Sequence, residues 1–433
     1  MNILFINPNY ADIRSHDVME PLVFAILSGC TPSKHTVTLF DERLEQIEYN
    51  FPADLVAISV LTFTAKRAYT IAGKFRQRGI KVVMGGFHPT LMPDEVIEFC
   101  DAVVIGDAEP VWEKLLEDAD NGQLQKFYHS SNEYDLSKTI YDRSIFLDKK
   151  YSFVKPVQFG RGCRFSCDFC SVHAFYGSGI RQMSIDSMIK QIQRINSSYL
   201  LFVDDNLLGN YDHVMVFLKA MIPLHKKWIC QISIDAADKP ELLNALQESG
   251  CIAVFIGFES LQKESLVQIG KSGNMVCTSY SEAIKVFRDH KIMVCGSFVF
   301  GYEGDTEESV EQACTFAIEQ KLCIAHFNLL FPTPGTRLYK RLQDTNRLRF
   351  YKWWLEEEYR YGDCTFYPPS IGHRHLAEKC MSVRKRFDSL KSILSRSIDM
   401  KANAGSIESI VLFLTANLLS RKEITAKAGR RLG

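Results

Sequence analysis

The sequence predicts an α/β protein: a doubly wound parallel sheet, then a partial (β/α)6 barrel, then a mainly helical C-terminal region. Three observations predict it. Short β-prone apolar runs alternate with helix-forming stretches over residues 1–125 and again over 155–342. In both stretches Gly, Asp, Asn and Ser gather just after the apolar runs, at strand C-terminal ends, where parallel α/β folds place their chemistry. Beyond residue 342 this alternation stops and helical periods take over. Residues 126–154, polar and aromatic without a clean period, read as an ordered connector between two of the domains.

In the first unit the expected strands are 3–6, 36–40, 55–60, 81–84 and 102–105, with helices at 20–28 and 65–78. The fourth strand runs into Gly85-Gly86-Phe87-His88-Pro89 and the fifth into Gly106-Asp107-Ala108-Glu109, where glycine permits a close approach of backbone to ligand. In the second unit the strands are 156–159, 200–203, 228–234, 253–256, 292–300 and 325–330. A helix capped by Ser184 or Asp186 runs over 184–194. Strands two to four end in Asp204-Asp205-Asn206, Asp235 and Gly257-Phe258-Glu259-Ser260. The fifth ends in Gly301-Tyr302, and the sixth leads into Phe331-Pro332-Thr333-Pro334-Gly335. Six strand–helix units in a row fit a partial barrel.

The first barrel strand ends in Gly160-Arg161-Gly162 and delivers Cys163, Cys167 and Cys170 on one loop. Three thiolates so placed hold a soft metal or an iron–sulfur cluster. A structural zinc normally takes four ligands, and no second close Cys or His pair follows at finger-like spacing. The spacing therefore suggests a 4Fe–4S cluster with one iron left open and Phe169 as its apolar cover. The alternative is three buried core thiols or a partial zinc site. Cys230, Cys251, Cys277, Cys295, Cys314 and Cys323 stand singly and read as core thiols.

Lysine plus arginine equals aspartate plus glutamate, 51 each, so charge gives no support for a nucleic-acid partner. Thirteen scattered cysteines suit a reduced, cytoplasmic setting rather than a disulfide framework. The start, MNILFINPNY, reads as a first strand rather than a signal peptide, and no stretch approaches transmembrane length.

The run Cys-x3-Cys-x2-Cys with an aromatic before the last Cys resembles the signature of the radical SAM superfamily. That resemblance implies that S-adenosylmethionine binds the open iron and that an electron from the cluster yields a 5′-deoxyadenosyl radical. It places Asp204, Asp205 and Asn206 at the amino group of S-adenosylmethionine, Ser233 and Asp235 at its ribose, and Gly257, Glu259 and Ser260 in the family's fourth-strand motif. Residues 330–333 fall beside adenine, and Lys271 and Asn274 lie in a loop after the fourth-strand helix. For each polar residue alone, capping of a following helix is the competing account.

GGFHPT followed by DAVVIGDAEPVW resembles the cobalamin-binding type of N-terminal domain found on many of these enzymes. The resemblance names Ser59, Thr62, Gly85, Gly86, His88, Gly106 and Glu109 as candidate contacts. The loop after the first strand, Asp12 to His16, departs from the Asp-x-His-x-x-Gly that supplies a lower axial histidine. Cobalamin would then bind without a protein ligand, or the domain would serve as a shield.

In the C-terminal region Trp353, Trp354, Tyr359 and Tyr361 either line an apolar substrate pocket or pack the tail onto the barrel. A helix over 376–397 and an apolar one over 407–419, followed by Arg421, Lys422, Lys427, Arg430 and Arg431, either touch a membrane surface or dock on the protein. Tyr302, Tyr339 and His326 are within reach of the barrel mouth.

The function these readings imply is a radical SAM enzyme, probing an unactivated carbon of a natural product, lipid or pigment and methylating it from cobalamin. A donor such as flavodoxin or ferredoxin would supply the electron. The alternatives are a non-methylating rearrangement, cyclisation or oxidation, and a cobalamin or iron–sulfur sensor. The series of strand-end polar residues weighs against the sensor, which needs no S-adenosylmethionine site.

Overall fold

The computed structural model describes residues 1–11, 18–131, 133–271, 274 and 279–433. The loop from Asp12 to His16, and Cys277, lie outside these.

The first sheet is wholly parallel, with strands β1 (Asn2–Asn7), β2 (Thr36–Asp41), β3 (Leu55–Ser59), β4 (Lys81–Gly85), β5 (Ala102–Ile105) and β6 (Phe127–His129) in the order β2-β1-β3-β4-β5-β6. The strands are apolar at consecutive positions because both faces are covered. Ile3, Phe5, Leu55, Ala57 and Val104 enter one core, and Leu4, Ile6, Val56, Ile58 and Val103 enter the other, following the two-residue period of a strand. Tail residues Trp353, Trp354, Tyr359 and Leu432 close the second of these cores. Strand β6 falls in the stretch read as a connector; its three residues are too few to show a period.

The second sheet is also parallel. After β7 (Lys155–Val157), a short antiparallel pair, β8 (Gly160–Arg161) and β9 (Arg181–Gln182), brackets the cysteine loop. Then come β10 (Tyr199–Phe202), β11 (Lys227–Gln231), β12 (Cys251–Glu259), β13 (Met293–Phe300) and β14 (Ala325–Leu329). Their order is β14-β13-β12-β11-β10-β7, with each neighbour parallel. β7 and β14 do not pair, so the barrel is open along one side.

Alternate residues of these strands face the lumen. Towards the start of the strands, Ile229, Ala253, Met293, Cys295 and Ile324 pack against Ile393, Ala402 and Phe413 of the tail. Towards their C-terminal ends, Gln231, Phe255, Gly257, Ser297, Val299, His326 and Asn328 line a cavity instead. The tail thus plugs one end of the lumen and leaves the other for chemistry.

The single helix expected over 376–397 is two, His373–Phe387 and Leu390–Ser397. The break is at Asp388-Ser389, where the Ser389 hydroxyl accepts from the amide of Ser392 and caps the second helix. The last helix runs from Ile407 to Lys427, past the apolar stretch, and its last turns face Ala325, His326 and Asn328 of β14 across a groove. Among the described residues no helix is long and apolar enough to cross a membrane.

Candidate active site

Cys163, Cys167 and Cys170 leave β8 on a loop whose shape depends on Gly162. Its φ is +91°, and a Cβ there would lie 2.0 Å from the Gly179 carbonyl oxygen. Cys167 is buried and the other two are half-buried. Among the described residues no three ligating side chains converge as a single ion would require. Three cysteine thiolates on one loop are a donor set for an iron–sulfur cluster with one iron left open. Phe165 and Phe169 pack with Cys167 and Cys170 in one apolar group, which shields that corner from water.

The aspartates after β10 hold this loop in place. Asp204 is buried and accepts from the amides of Phe159 (3.0 Å) and Gly160. Asp205 accepts from Gly162 at 2.9 Å. Burial pushes the Asp204 carboxyl up to about 7 against the pull of those amides, and raises Asp205 as well. Asn206 is closer to the cysteines: its amide nitrogen lies 3.9 Å from the Cys163 sulfur and 3.4 Å from the Ser233 hydroxyl. Arg164 donates to Ser233 (3.0 Å) and pairs with Asp235. Burial would raise the Asp235 carboxyl, but Ser233 and Arg164 outweigh it and hold it below the usual range. One buried Asp235 oxygen has no donor among the described residues.

At the end of β12 the chain forms a bulge, Gly257 to Glu259, with Glu259 in the left-handed region at φ +63°. Two side chains clamp it. Lys271 donates to the Gly257 carbonyl (2.8 Å) and to Glu259 (2.7 Å), and Asn274 donates to the carbonyls of Gly257 and Phe258. Burial alone would lower the Lys271 ammonium; the Glu259 carboxylate more than offsets this and raises it. A Cβ at Gly257 would lie 2.2 Å from the Glu259 carboxylate and 2.6 Å from the Lys271 ammonium, so a side chain there would displace the pair. Ser260 is buried and accepts from the amide of Gln262, turning the chain away from the cavity.

The cavity at the strand ends measures about 590 Å³. Phe169 of the cysteine loop, Gly257, Glu259 and Thr333 form part of its wall, and Phe63, from the loop after β3, closes it on the side of the first domain. Phe63 stacks on Phe331 at 4.6 Å, so the cavity reaches the point where the first sheet reverses its strand order. Doubly wound sheets bind ligands at that point.

Of the residues read as cobalamin contacts, Ser59, Thr62, Gly85, Gly86 and Gly106 lie at the ends of β3, β4 and β5. Gly86 (φ +108°) and Gly106 (φ +88°) hold conformations that favour glycine, giving an edge with little side-chain bulk for a large planar cofactor. His88 and Glu109 are otherwise engaged. His88 is enclosed, 3.0 Å from the Tyr69 hydroxyl and 3.3 Å from Glu95, with Trp354 against its ring. Glu109 pairs at 2.6 Å with Arg161, which also pairs with Asp107 at 3.0 Å, while Arg181 takes the other oxygen of Asp107. This buried network ties the first domain to the strand that delivers the cysteines.

Family models match in the same order: a B12 binding domain over residues 25–116 and the radical SAM superfamily over 157–317. Bacteriochlorophyllide d C-12(1)-methyltransferase from Chlorobaculum tepidum is 30% identical over 397 residues, covering 89% of this chain and 86% of that protein. The chain belongs to the radical SAM superfamily. Two solved structures share its fold. The radical S-adenosylmethionine methyltransferase TsrM from Kitasatospora setae, with cobalamin and a 4Fe–4S cluster bound, superposes with a TM-score of 0.64 at 15% identity, covering 79% of this chain and 75% of that one. The cobalamin-dependent S-adenosylmethionine radical enzyme OxsB gives 0.66 at 14% identity, covering 98% and 72%. The cofactors of this radical SAM enzyme are a 4Fe–4S cluster, S-adenosylmethionine and cobalamin.

Several cavity residues escaped sequence reading. Gln231, Ser297 and Asn328 lie within strands, and Arg384 comes from the tail. The available signal was a polar residue inside an otherwise apolar strand, which in a barrel points to the lumen. Of Tyr302, Tyr339 and His326, only His326 lines the cavity; Tyr302 is buried and donates to Asp168 at 2.6 Å, and Tyr339 donates to the Tyr351 carbonyl. The aromatic tail divides between both readings: Trp353 and Trp354 are core, while Tyr359 and Tyr361 reach the cavity wall.

Proposed function

We propose that the chain is a cobalamin-dependent methyltransferase acting on an unactivated carbon of a large, mostly apolar ring compound, a pigment, lipid or natural product. The observation that carries this reading is the single cavity bounded by Phe169 beside the cysteines and by Phe63 of the B12-binding domain. When bound, the cluster supplies the electron that splits S-adenosylmethionine into a hydrogen-abstracting radical, and cobalamin supplies the methyl group.

The protein's own task is to hold these reactants together and exclude water. Cys163, Cys167 and Cys170 would hold the cluster. Asn206, Ser233, Asp235 and Glu259 would receive S-adenosylmethionine, with Asp204 and Asp205 fixing the loop backbone beneath it. The small-residue edge at Ser59, Thr62, Gly85, Gly86 and Gly106 would take cobalamin. Phe255, Val299 and Leu329 offer an apolar bed for a ring. His326 stands against Phe255, open to the cavity though enclosed by its walls. Desolvation, then Arg384 and Lys427, hold its imidazole below its ordinary value, which favours a neutral polar group on the cavity wall. The scattered free cysteines support a cytoplasmic location.

The test is anaerobic reconstitution with iron, sulfide and cobalamin, then reduction with deuteromethyl S-adenosylmethionine and candidate ring compounds. Deuteromethyl product together with 5′-deoxyadenosine is expected. Deoxyadenosine with a rearranged, cyclised or oxidised product that carries no deuteromethyl group would replace the methyltransferase reading with a non-methylating reaction.

A further inference from the structure

The two helices that plug the barrel, Leu390–Ser397 and Ile407–Lys427, each have one firmly docked face and one unusual one. On the docked side Arg396 is wholly buried. It donates to the carbonyls of Leu322, Cys323 and Phe387 and to Asn417, and lies 3.7 Å from the centre of the Phe387 ring. Ile393 and Phe413 fill the lumen beside it. The helices are therefore held rigidly to the barrel.

The opposite side is apolar and open to solvent. Ile407 is 85% exposed, Met400 75%, Ile398 69%, Leu394 63% and Val411 56%, with Leu390 and Leu418 also exposed. On the last helix Ile407, Val411 and Leu418 form one stripe at helical spacing. A soluble chain seldom leaves so many large apolar side chains uncovered on adjoining elements. Basic residues stand among them: Lys391 follows Leu390 and Lys422 continues the stripe one turn beyond Leu418, while Lys401 after Met400 is paired with Asp289 and Glu408 after Ile407 accepts from Tyr199. Residues 388–433 hold eight Lys and Arg against four Asp and Glu, in a chain whose total is balanced. Of those four acids, Asp388 and Asp399 are buried, and Asp399 pairs with Arg288.

We infer that this face seats the protein on the surface of a bilayer carrying anionic headgroups. The apolar side chains enter the headgroup boundary, the lysines meet the lipid charge, and the chain lies on the membrane without crossing it. A groove of about 370 Å³ beneath the same last helix, lined by Ala416, Leu419 and Ile424, shares His326, Asn328 and Arg384 with the central cavity. The groove lies on the face of that helix turned away from the stripe, so it joins the central cavity behind the seat and is no part of the lipid contact.

The full-length reconstituted protein is sedimented with vesicles of phosphatidylcholine mixed with phosphatidylglycerol, and with phosphatidylcholine alone. Preferential pelleting with the anionic vesicles is expected, weakening at high salt. Leu394→Glu combined with Val411→Glu should reduce binding at least about tenfold, and Lys422→Glu should reduce the anionic preference. Both variants should keep the wild-type circular dichroism and deoxyadenosine formation, which separates loss of the seat from failure of the chemistry. Wild-type protein that stays in the supernatant, or variants that pellet as well as wild type, would overturn the inference. So would a wild-type dimer, in sedimentation velocity, that the double substitution makes monomeric, since a second copy would then cover the face.

Discussion

Removing Arg161 tests how far the two domains depend on one another. Its guanidinium is 6% exposed and pairs with Glu109 and Asp107, themselves nearly as buried. Arg161→Met leaves Asp107 with Arg181 but leaves the Glu109 carboxylate without a cation. Breaking a buried pair in this way costs about 3–5 kcal/mol. At about 2–4 °C per kcal/mol for a cooperative unit of domain size, the first thermal transition should fall by about 6–20 °C. Replacing both partners, Arg161→Met with Glu109→Met, removes the stranded charge as well and should recover at least half of that loss. Scanning calorimetry of the three variants under anaerobic conditions reads the comparison. Iron content should fall in the single variant, because Arg161 stands two residues before Cys163. A single substitution that moves the transition by less than about 2 °C, or a double no better than the single, would refute a buried bridge as the fastening.

Gly162→Ala should abolish cluster binding, since its Cβ meets backbone that cannot yield, whereas Gly179→Ala, whose Cβ would meet nothing nearer than the Tyr176 carbonyl oxygen at 3.4 Å, should keep its iron; iron and sulfide analysis decides. Asp204, raised to about 7, binds its proton more tightly in the folded chain than in the unfolded one, so the stability it contributes is complete below about pH 4 and lost as pH rises through about 7. Asp204→Asn should accordingly gain in urea midpoint relative to wild type between about pH 5 and pH 8, and parallel midpoints across that range would contradict this. Lys271→Met strands Glu259 at a left-handed position and should weaken S-adenosylmethionine binding by at least about tenfold, about 1.4 kcal/mol, in equilibrium dialysis; unchanged affinity would remove Lys271 as the clamp of the β12 end.

The two parallel sheets were legible because strands covered on both faces are apolar without interruption, and their ends are marked by Gly and Asp. Strand β6 was not, since three residues carry no period, and neither was the break at Ser389, a capping event inside an otherwise helical pattern. The cysteine loop declared itself through spacing. The partners of the acidic residues did not: sequence places Asp204, Asp205 and Glu109 at strand ends correctly, but cannot tell a carboxylate aimed at a ligand from one tied to a backbone amide or to Arg161. Lys271 and Asn274 were noticed without a role because their partners are carbonyls, which leave no trace in side-chain chemistry. Gln231, Ser297 and Asn328 were hidden inside strands, where inward-facing polarity has meaning only once the sheet is known to curve round a cavity.

The open side between β14 and β7 separates what the enzyme does from what it admits. One wall comes from Phe169 of the cysteine loop and the ends of β11 and β12, whereas another comes from Tyr361, Met381 and Arg384 of the tail. A tail exchanged for that of a relative would alter the guest, but it would have to keep Leu348, Cys364 and Phe366, which share one apolar cluster with Cys167. Diversification of such a catalyst can therefore proceed at the few tail side chains that face the cavity, while those packed beneath the cysteines and inside the barrel stay as they are.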